Sequence, residues 1–344
     1  MFDDLVGNDR VRSILQRLAN ESRVPNALLF AGPDGVGKRH FALAVAAAAL
    51  CHSPKDGGPC GECLACHRSQ IFEWPKADDK EAHKRVVFSE HPDLGMVIAY
   101  NRNILVDAVR DLEREANFRP YEAQARYFVI DDADKMNAAA SNALLKTLEE
   151  PSATTHIILV TARPDALLRT IRSRCQTVRF APVPADEIEK LLLRTHKYAQ
   201  ADARVIAAYA QGSVSRALGI DAENFRARRD AMMRVLYSAI ASSDLPALLR
   251  IAEEVGDPKN KENFEDDLDI LQSLIHDLWQ IGVRHGAASI VHSDLSADMH
   301  DLAGRVSPAK LSQWLADIES LRAALDVNIN RRIATDALFV GMAG

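Results

Sequence analysis

The chain has 344 residues, of which 47% are hydrophobic and 26% are charged, and its formal net charge is -6. This length exceeds one ordinary hydrophobic core, so we expect two or three domains. The acidic balance argues against a general nucleic-acid coat protein. No apolar run reaches the roughly 18 residues that a membrane helix needs, and "MFDDLVGNDR" is not a secretory signal. We therefore expect a cytoplasmic protein with no membrane partner.

The first 180 residues alternate apolar strand-like runs with helical ones, which predicts an α/β domain with a mainly parallel sheet. The clearest predicted strands are residues 27–32, 125–132 and 156–162. A helix is predicted after "GVGK", and another runs through "NAAASNALLKTLEE" to Pro151. Residues 73–90 are charged and poor in apolar side chains, so we expect a surface insertion or a partly disordered loop there.

Residues 32–40 read "GPDGVGKRH", which nearly matches the phosphate-binding loop G-x-x-x-x-G-K followed by Ser or Thr. The loop would offer backbone amides and one ammonium group to a triphosphate, ahead of a helix N-terminus. The residues in question are Gly32, Gly35, Gly37 and Lys38. Arg39 stands where a hydroxyl group would ligate magnesium, which predicts a degenerate nucleotide site.

Four cysteines follow within 16 residues, spaced C-x8-C-x2-C-x2-C with glycines between them: Cys51, Cys60, Cys63 and Cys66. In a reducing compartment this pattern predicts a zinc site with all four positions filled, so the metal would be structural. Redox thiols and an empty knuckle are the alternatives. A knuckle that grips nucleic acid is disfavoured because the segment has few basic or aromatic residues. The fifth cysteine, Cys175, is expected to pack.

An acidic pair, Asp131 and Asp132, ends the second predicted strand. In a nucleotide hydrolase the first carboxylate holds magnesium and the second polarises water, and the second is usually a glutamate. Aspartate is shorter, and a misplacement of about 1 Å can cost on the order of a hundredfold in rate. Together with Arg39 this pair predicts that hydrolysis is lost, while weak ATP and magnesium binding stays open.

Five arginines lie between residues 163 and 179 against the single acid Asp165, and a solvated helix and strand edge accounts for most of them. Arg174, in "RSRC", is a candidate arginine finger for a neighbouring subunit, a role worth on the order of 10³ to 10⁵ in rate. A surface salt bridge is the alternative. Beyond residue 181 the apolar residues have a helical periodicity. One predicted helix face carries Leu271, Leu274, Ile275, Leu278 and Trp279.

Several stretches, in this order, resemble bacterial DNA polymerase III clamp-loader subunits: "FDDLVGNDRVRSIL", "NALLFAGPDGVGK", the four-cysteine module, "HPDL", "FVIDDADKMN", "NALLKTLEEP" and "IRSRC". The resemblance covers about the first 220 residues with specific motifs and the last 120 only as a helical collar. The chain is most similar to the delta-prime branch, in which "IDDADKM" is typical and the phosphate loop is commonly degenerate. Gamma/tau subunits keep the Ser or Thr and an Asp-Glu pair.

The resemblance implies an α/β P-loop NTPase-type (AAA+) domain with an inserted zinc module, a small helical lid domain and a C-terminal all-α collar domain. The expected bounds are 1–181 with the module at 51–66, 182–221, and 222–344. The collar would assemble with four related subunits. In the lid, Ser215 stands where ATP-hydrolysing relatives place an arginine, and Arg216 follows it.

The resemblance also implies the roles of two side chains. Arg174 would act in trans on ATP held by an adjacent gamma/tau subunit, and Lys146 would neutralise a phosphate of duplex DNA without reading sequence. The expected partners are gamma/tau and delta subunits, primer-template DNA within the assembly, and the sliding clamp, contacted indirectly. No residue suggests polymerase chemistry, which would belong to the whole holoenzyme.

Three hypotheses of function follow. The first is a clamp-loader subunit without ATPase activity of its own, which braces the ring and supplies Arg174 to a neighbour. The second is a gamma/tau-like motor subunit that hydrolyses ATP, motivated by Lys38 and Asp131. The third is a zinc-dependent DNA-binding module, motivated by the four cysteines and disfavoured by the acidic net charge.

Overall fold

The computed structural model describes residues 2, 5–195, 197–242, 244–257, 260, 263–284, 290–325 and 330–343. The chain forms two compact units. The first comprises Met1–Ile188 with Gln211–Arg216, and the second comprises Glu189–Ala210 with Ala217–Gly344. Within these described ranges, every helix is either too short or too polar to span a lipid bilayer. The division into three domains stays a prediction.

A six-stranded sheet forms the centre of the first unit. Its strands are β1 (Ala27–Ala31), β2 (Val87–Phe88), β3 (Leu94–Val97), β4 (Arg126–Ile130), β5 (Thr155–Thr161) and β6 (Gln176–Arg179). They lie in the order β2-β3-β4-β5-β1-β6, in which only the β2-β3 pair is antiparallel. Strands β1, β4 and β5 are apolar and almost fully buried, as parallel strands covered on both faces must be. The predicted α/β class is confirmed.

Most of the other regular elements in the described part of the chain are α-helices. Those before β6 are α1 (Asp9–Asn20), α2 (Lys38–Leu50), α3 (Leu64–Arg68), α4 (Val106–Ala116), α5 (Ala138–Glu149) and α6 (Arg169–Arg172). Those after β6 are α7 (Ala185–Arg194), α8 (Gln200–Tyr209), α9 (Val214–Gly219), α10 (Ala222–Tyr237), α11 (Leu245–Val255), α12 (Phe264–Arg284), α13 (Ser296–Ala303), α14 (Pro308–Leu325) and α15 (Arg331–Ala343). The predicted helical C-terminal region is confirmed.

The second unit buries the apolar face that the sequence predicts on α12. Leu271, Leu274, Ile275 and Leu278 are fully buried, and Trp279 lies partly exposed beside them. Helix α12 packs against α10, α13 and α14, while α11 packs against α15. This interior is therefore a helix-on-helix core, as the spacing of its apolar residues requires.

The sheet register brings the predicted nucleotide residues to one edge. Ala31 pairs with Thr161, and Ile130 pairs with Leu159. The glycine loop begins right after β1, and Asp131 is the first residue after β4. Because parallel strands end at the same edge of a sheet, the loop and the acid meet there.

The prediction for residues 73–90 was wrong at the end of that segment. Val87 and Phe88 form the edge strand β2 and pair with Met96 and Gly95 of β3. A two-residue strand gives no detectable alternation of apolar and polar side chains, so periodicity could not identify it.

Arg126, at the start of β4, is fully buried and joins two carboxylates. Its Nε lies 3.6 Å from Oδ1 of Asp93, and its Nη2 lies 3.2 Å from Oε2 of Glu115. Asp93 is also fully buried and accepts backbone N–H bonds from residues 121–123 at 2.8 to 2.9 Å. This network ties the end of α4 and the segment before β3 to the centre of the sheet.

We expect Arg126→Met to lower the free energy of unfolding of the first unit by about 3–5 kcal/mol, because the Asp93 carboxylate would stay buried without its cation. Arg110→Met is the matched control. Arg110 pairs with Asp107 on the surface of α4, where both side chains are more than half exposed, and such pairs contribute about 0–1 kcal/mol. Urea denaturation followed by circular dichroism measures both losses, and equal losses would contradict this role.

Candidate functional site

The predicted phosphate loop joins β1 to α2, and Gly37 caps the helix. Gly35 and Gly37 have φ angles of 73° and 94°, which glycine adopts at little cost. A Cβ atom on Gly35 would lie 1.9 Å from Oγ of Ser213, so any other residue would force the Ser213 side chain to move. The backbone N–H of Ser215 donates to the Gly35 carbonyl at 3.0 Å. Residues 211–216 therefore pack directly on the loop.

Lys38 turns its ammonium group back onto its own loop. Nζ donates to the carbonyl oxygens of Gly32 and Pro33 at 2.7 and 2.5 Å, and the residue is 5% exposed. Burial lowers the pKa of Lys38 below its ordinary value, and the carboxylate of Asp34 opposes this shift most strongly among the surrounding acids. Two of the three ammonium donors are thus already used inside the loop.

Arg39 pairs with the predicted magnesium ligand. Its Nη1 lies 3.5 Å from Oδ2 of Asp131, and its Cζ lies 4.6 Å from the centre of the Trp74 ring. Phe72 stacks on Trp74 with 4.8 Å between the ring centroids. Burial raises the pKa of Asp131, and the Arg39 guanidinium opposes that rise. The Arg39 guanidinium is therefore paired with the carboxylate that a magnesium ion would need as a ligand.

The second acid of the pair has a different partner. Asp132 adopts a left-handed conformation, with φ 49°, and its Oδ2 accepts a hydrogen bond from Nζ of Lys135 at 2.8 Å. Near it, Oδ1 of Asp134 accepts from Oγ1 of Thr161 at 2.7 Å, and Oδ2 lies 2.8 Å from Nη2 of Arg163. The structure thus brings the loop and Asp131 together, while Lys135 holds the Asp132 carboxylate.

Arg174 lies in the turn between α6 and β6, with its side chain 35% exposed. Its Nη2 lies 2.6 Å from Oε1 of Glu149, and its Nη1 donates to the Thr170 carbonyl at 2.9 Å. Arg172 is also paired, with Asp165 at 2.5 Å. Arg174 therefore makes a salt bridge within its own chain and remains accessible to solvent. Its action in trans stays a prediction.

Lys146 lies on the exposed face of α5. Its side chain is 80% exposed, and Nζ lies 3.4 Å from Oε1 of Glu113 on α4. An ion pair this exposed binds weakly in water, so a phosphate group could compete for the ammonium. The contact with DNA stays a prediction.

The four cysteines of the predicted module lie together, with their Sγ atoms all within 4.8 Å of one another. Cys51 follows α2, Cys63 precedes α3 and Cys66 lies within α3. The Cys51–Cys63 and Cys60–Cys66 Sγ distances are 3.8 and 3.9 Å. A zinc ion with four Zn–S bonds of about 2.3 Å requires sulfur atoms about 3.8 Å apart at tetrahedral angles. These side chains could therefore hold one zinc ion and leave no ligand position open.

Backbone donors prepare the cysteine cluster for a cation. The N–H groups of Ser53 and Cys60 lie 3.4 and 3.3 Å from Sγ of Cys51, and that of Cys63 lies 3.3 Å from Sγ of Cys60. Burial raises the pKa of Cys63, but hydrogen bonds from neighbouring N–H and thiol groups outweigh it and lower that pKa to about 6, whereas burial raises the pKa of Cys51 and Cys66. Part of the cluster is therefore stabilised as thiolate, the form that binds metal.

Gly57 anchors this module to α1. A Cβ atom there would lie 2.1 Å from the backbone oxygen of Gln16, so no other residue allows the two segments to approach this closely. Cys175 lies far from the module in sequence and packs against the core beside the sheet, as expected. Burial raises its pKa to about 11, so its thiol stays protonated.

Two contacts of the predicted site residues were missed by sequence reasoning. Glu149 belongs to a stretch that the sequence assigned only to a helix, and Trp74 belongs to the segment expected to be a loop. An aromatic residue in an otherwise charged segment was a usable signal for Trp74. Nothing in the local pattern around Glu149 points to Arg174.

A glycine loop after one parallel strand and an acid after another, at the same edge of the sheet, define a P-loop NTPase-type domain. The family described as "DNA polymerase III, delta subunit" matches residues 7–184, and its C-terminal counterpart matches residues 223–339. The chain belongs to this family. The resemblance to clamp-loader subunits of the delta-prime type is therefore confirmed.

Individual relatives agree with this assignment. DNA polymerase III subunit delta' of Escherichia coli (strain K12) is 30% identical over 318 residues, which are 91% of this chain and 87% of that protein. The delta' subunit of Bacillus subtilis (strain 168) is 28% identical over 324 residues, 93% of this chain and 92% of that protein. Subunit tau of the same organism is 33% identical over 188 residues, only 54% of this chain and 30% of tau. The likeness to delta' subunits thus extends over both units of the chain.

Proposed function

We propose that this subunit hydrolyses no ATP itself and supplies Arg174 in trans to ATP held by a neighbouring gamma/tau subunit during loading of the sliding clamp. The observation that carries the proposal is the ion pair between Arg39 and Asp131. The carboxylate that would hold magnesium already has a cation from its own chain. This cation replaces the very side chain whose hydroxyl group would be the second magnesium ligand.

Binding of magnesium and a triphosphate would have to undo several contacts at once. Arg39 would leave both Asp131 and Trp74, and Lys38 would leave two carbonyl oxygens. A metal in that position would still lack a hydroxyl ligand, and Asp132 is held by Lys135. The gamma/tau-like motor hypothesis needs Lys38 and Asp131 to be available, and both are engaged within the chain.

Arg174 has the exposure and the donors that action in trans requires. Thr170 accepts one hydrogen bond from a guanidinium group that carries five N–H donors, and Glu149 forms an ion pair with the same group. The remaining donors suit the charge that develops on a phosphoryl group during transfer.

The remaining parts of the chain complete the proposal. The 222–344 region acts as a collar that braces a pentameric ring with gamma/tau and delta subunits, and the lid spans 182–221. The cysteine cluster holds one structural zinc ion. Lys146 contacts a phosphate of the primer-template DNA, and the sliding clamp is contacted indirectly. The assembly works in the cytoplasm.

The experiment reconstitutes the loader with only this subunit carrying Lys38→Ala. Because Lys38 makes no contact with a reacting phosphate in this proposal, DNA-stimulated ATP turnover and clamp loading should equal those of the unaltered assembly. Gel filtration first establishes that the variant still assembles, since Lys38 is buried. A loss of turnover in a correctly assembled ring would favour the motor hypothesis instead.

A further inference from the structure

Glu149 and Arg174 form a contact between two elements that the sequence does not connect. Oε1 of Glu149, the last residue of α5, lies 2.6 Å from Nη2 of Arg174 in the turn after α6. This contact is an ion pair between a carboxylate and a guanidinium group. The Thr170 carbonyl binds the other terminal nitrogen, Nη1, at 2.9 Å. The guanidinium group is therefore held at two nitrogens by two different helices.

We propose that Glu149 is a positioning residue for Arg174 and fixes the orientation in which this arginine meets the neighbour's phosphate. The inference rests on the proposed function in trans. A planar guanidinium with an ion pair at one terminal nitrogen and a hydrogen bond at the other cannot turn about its own axis without lengthening one of these contacts. Glu149 thereby restricts the Arg174 side chain before the reaction begins. Less conformational freedom of Arg174 is then lost on reaching the transition state.

Helix α5 provides a rigid support for this carboxylate. Its N-terminus is capped by Asn137, whose Oδ1 accepts the Ala140 N–H at 2.9 Å. Its inner face is buried at Leu144 and Leu148 beneath the exposed C-terminal turn. A functional side chain is placed more accurately by a packed helix than by a loop.

The pair contributes little to the stability of the fold. The side chains of Arg174 and Glu149 are 35% and 49% exposed, and ion pairs this accessible to water have small effects on unfolding. Removing the Glu149 charge should therefore leave the thermal unfolding of the chain unchanged. A change in the rate of ATP hydrolysis would then result from a changed orientation of Arg174 and not from damage to the fold.

The test compares Glu149→Gln and Glu149→Ala in the reconstituted loader with primed DNA. A misplaced reacting group costs on the order of a hundredfold per ångström, so we expect kcat at the site served by Arg174 to fall about 10-fold to 100-fold. The KM for ATP should stay unchanged, because the ATP is held by another subunit. Gln should cost less than Ala, since its amide oxygen keeps a partial negative charge beside the guanidinium group. Glu150→Gln, an exposed neutralisation one residue along the chain, is the matched control and should have no effect.

A double-mutant cycle identifies the partner. In an Arg174→Ala background, Glu149→Gln should cause no further loss. If Arg174→Ala alone leaves turnover normal, the proposed function itself is wrong. If Arg174→Ala slows turnover but Glu149→Gln behaves like Glu150→Gln, only the positioning role is wrong. Faster turnover with Glu149→Gln, or a further loss in the Arg174→Ala background, would also overturn it.

Discussion

Arg174→Ala is expected to slow ATP hydrolysis at the neighbouring subunit's site by about 10³-fold or more when the loader is reconstituted with primed DNA and clamp. The guanidinium group supplies positive charge and planar donors to the transferring phosphoryl group, and alanine supplies neither. Arg174→Lys should recover little of this rate, because an ammonium group keeps the charge but loses the two-pronged geometry.

Rapid-quench measurements can isolate the affected site. Arg174 would act only on ATP bound at that neighbouring site. Its loss should therefore reduce the amplitude of the fast hydrolysis phase by the fraction that this site contributes. Arg172→Ala is the matched control, because Arg172 is also paired with an acid, Asp165, in the same segment and should leave the fast phase intact. A fast phase of normal amplitude with Arg174→Ala would contradict action in trans.

Removal of the metal is expected to unfold the cysteine module locally. Metal binding supplies about 10–16 kcal/mol in small zinc modules, and α3 has only five residues, too few to persist alone. We expect one zinc ion per chain, and we expect Cys60→Ser to lose it. The amide protons of residues 51–66 should then exchange more than about 10³-fold faster, since each 1.4 kcal/mol of lost protection is a factor of ten.

Cys175→Ser makes the same chemical change outside the module and should retain the zinc and the slow exchange. The sheet should survive in both variants, because its buried core does not include Cys60, and Cys175 only packs against the outside of that core. A protein that contains no zinc as purified, and whose residues 51–66 exchange equally slowly with and without the cysteines, would contradict a structural metal site.

The central strands could be predicted from the sequence because their apolar runs are long and their ends carry recognisable motifs. Strands β1, β4 and β5 each have five or more residues, nearly all buried. Strand β6 could not be identified because three of its four side chains are exposed, and β2 has only two residues. Their place in the sheet is fixed by pairing with a neighbour and not by their own pattern.

The candidate site divides in the same way. The cysteines and the glycine loop are each contained in a short segment, so their spacing alone brings their atoms together. Arg39 and Asp131 are separated by 92 residues, and their ion pair depends on the register of the sheet and on rotamers that no motif records. The same holds for Arg174, whose partner Glu149 lies on another helix. The sequence therefore predicts residues for this site but does not reveal the contacts between them.

We propose that the chain's own loop is closed to nucleotide by contacts within the chain. The most direct measurement is equilibrium binding of ATP, with magnesium, to the purified protein, beside the Arg39→Thr variant. We expect the natural protein to show no saturable binding below about 1 mM, a free energy weaker than about -4 kcal/mol, whether or not Arg39→Thr restores some affinity. Micromolar binding by the natural protein, followed by turnover, would contradict the claim and make this subunit an ATPase in its own right.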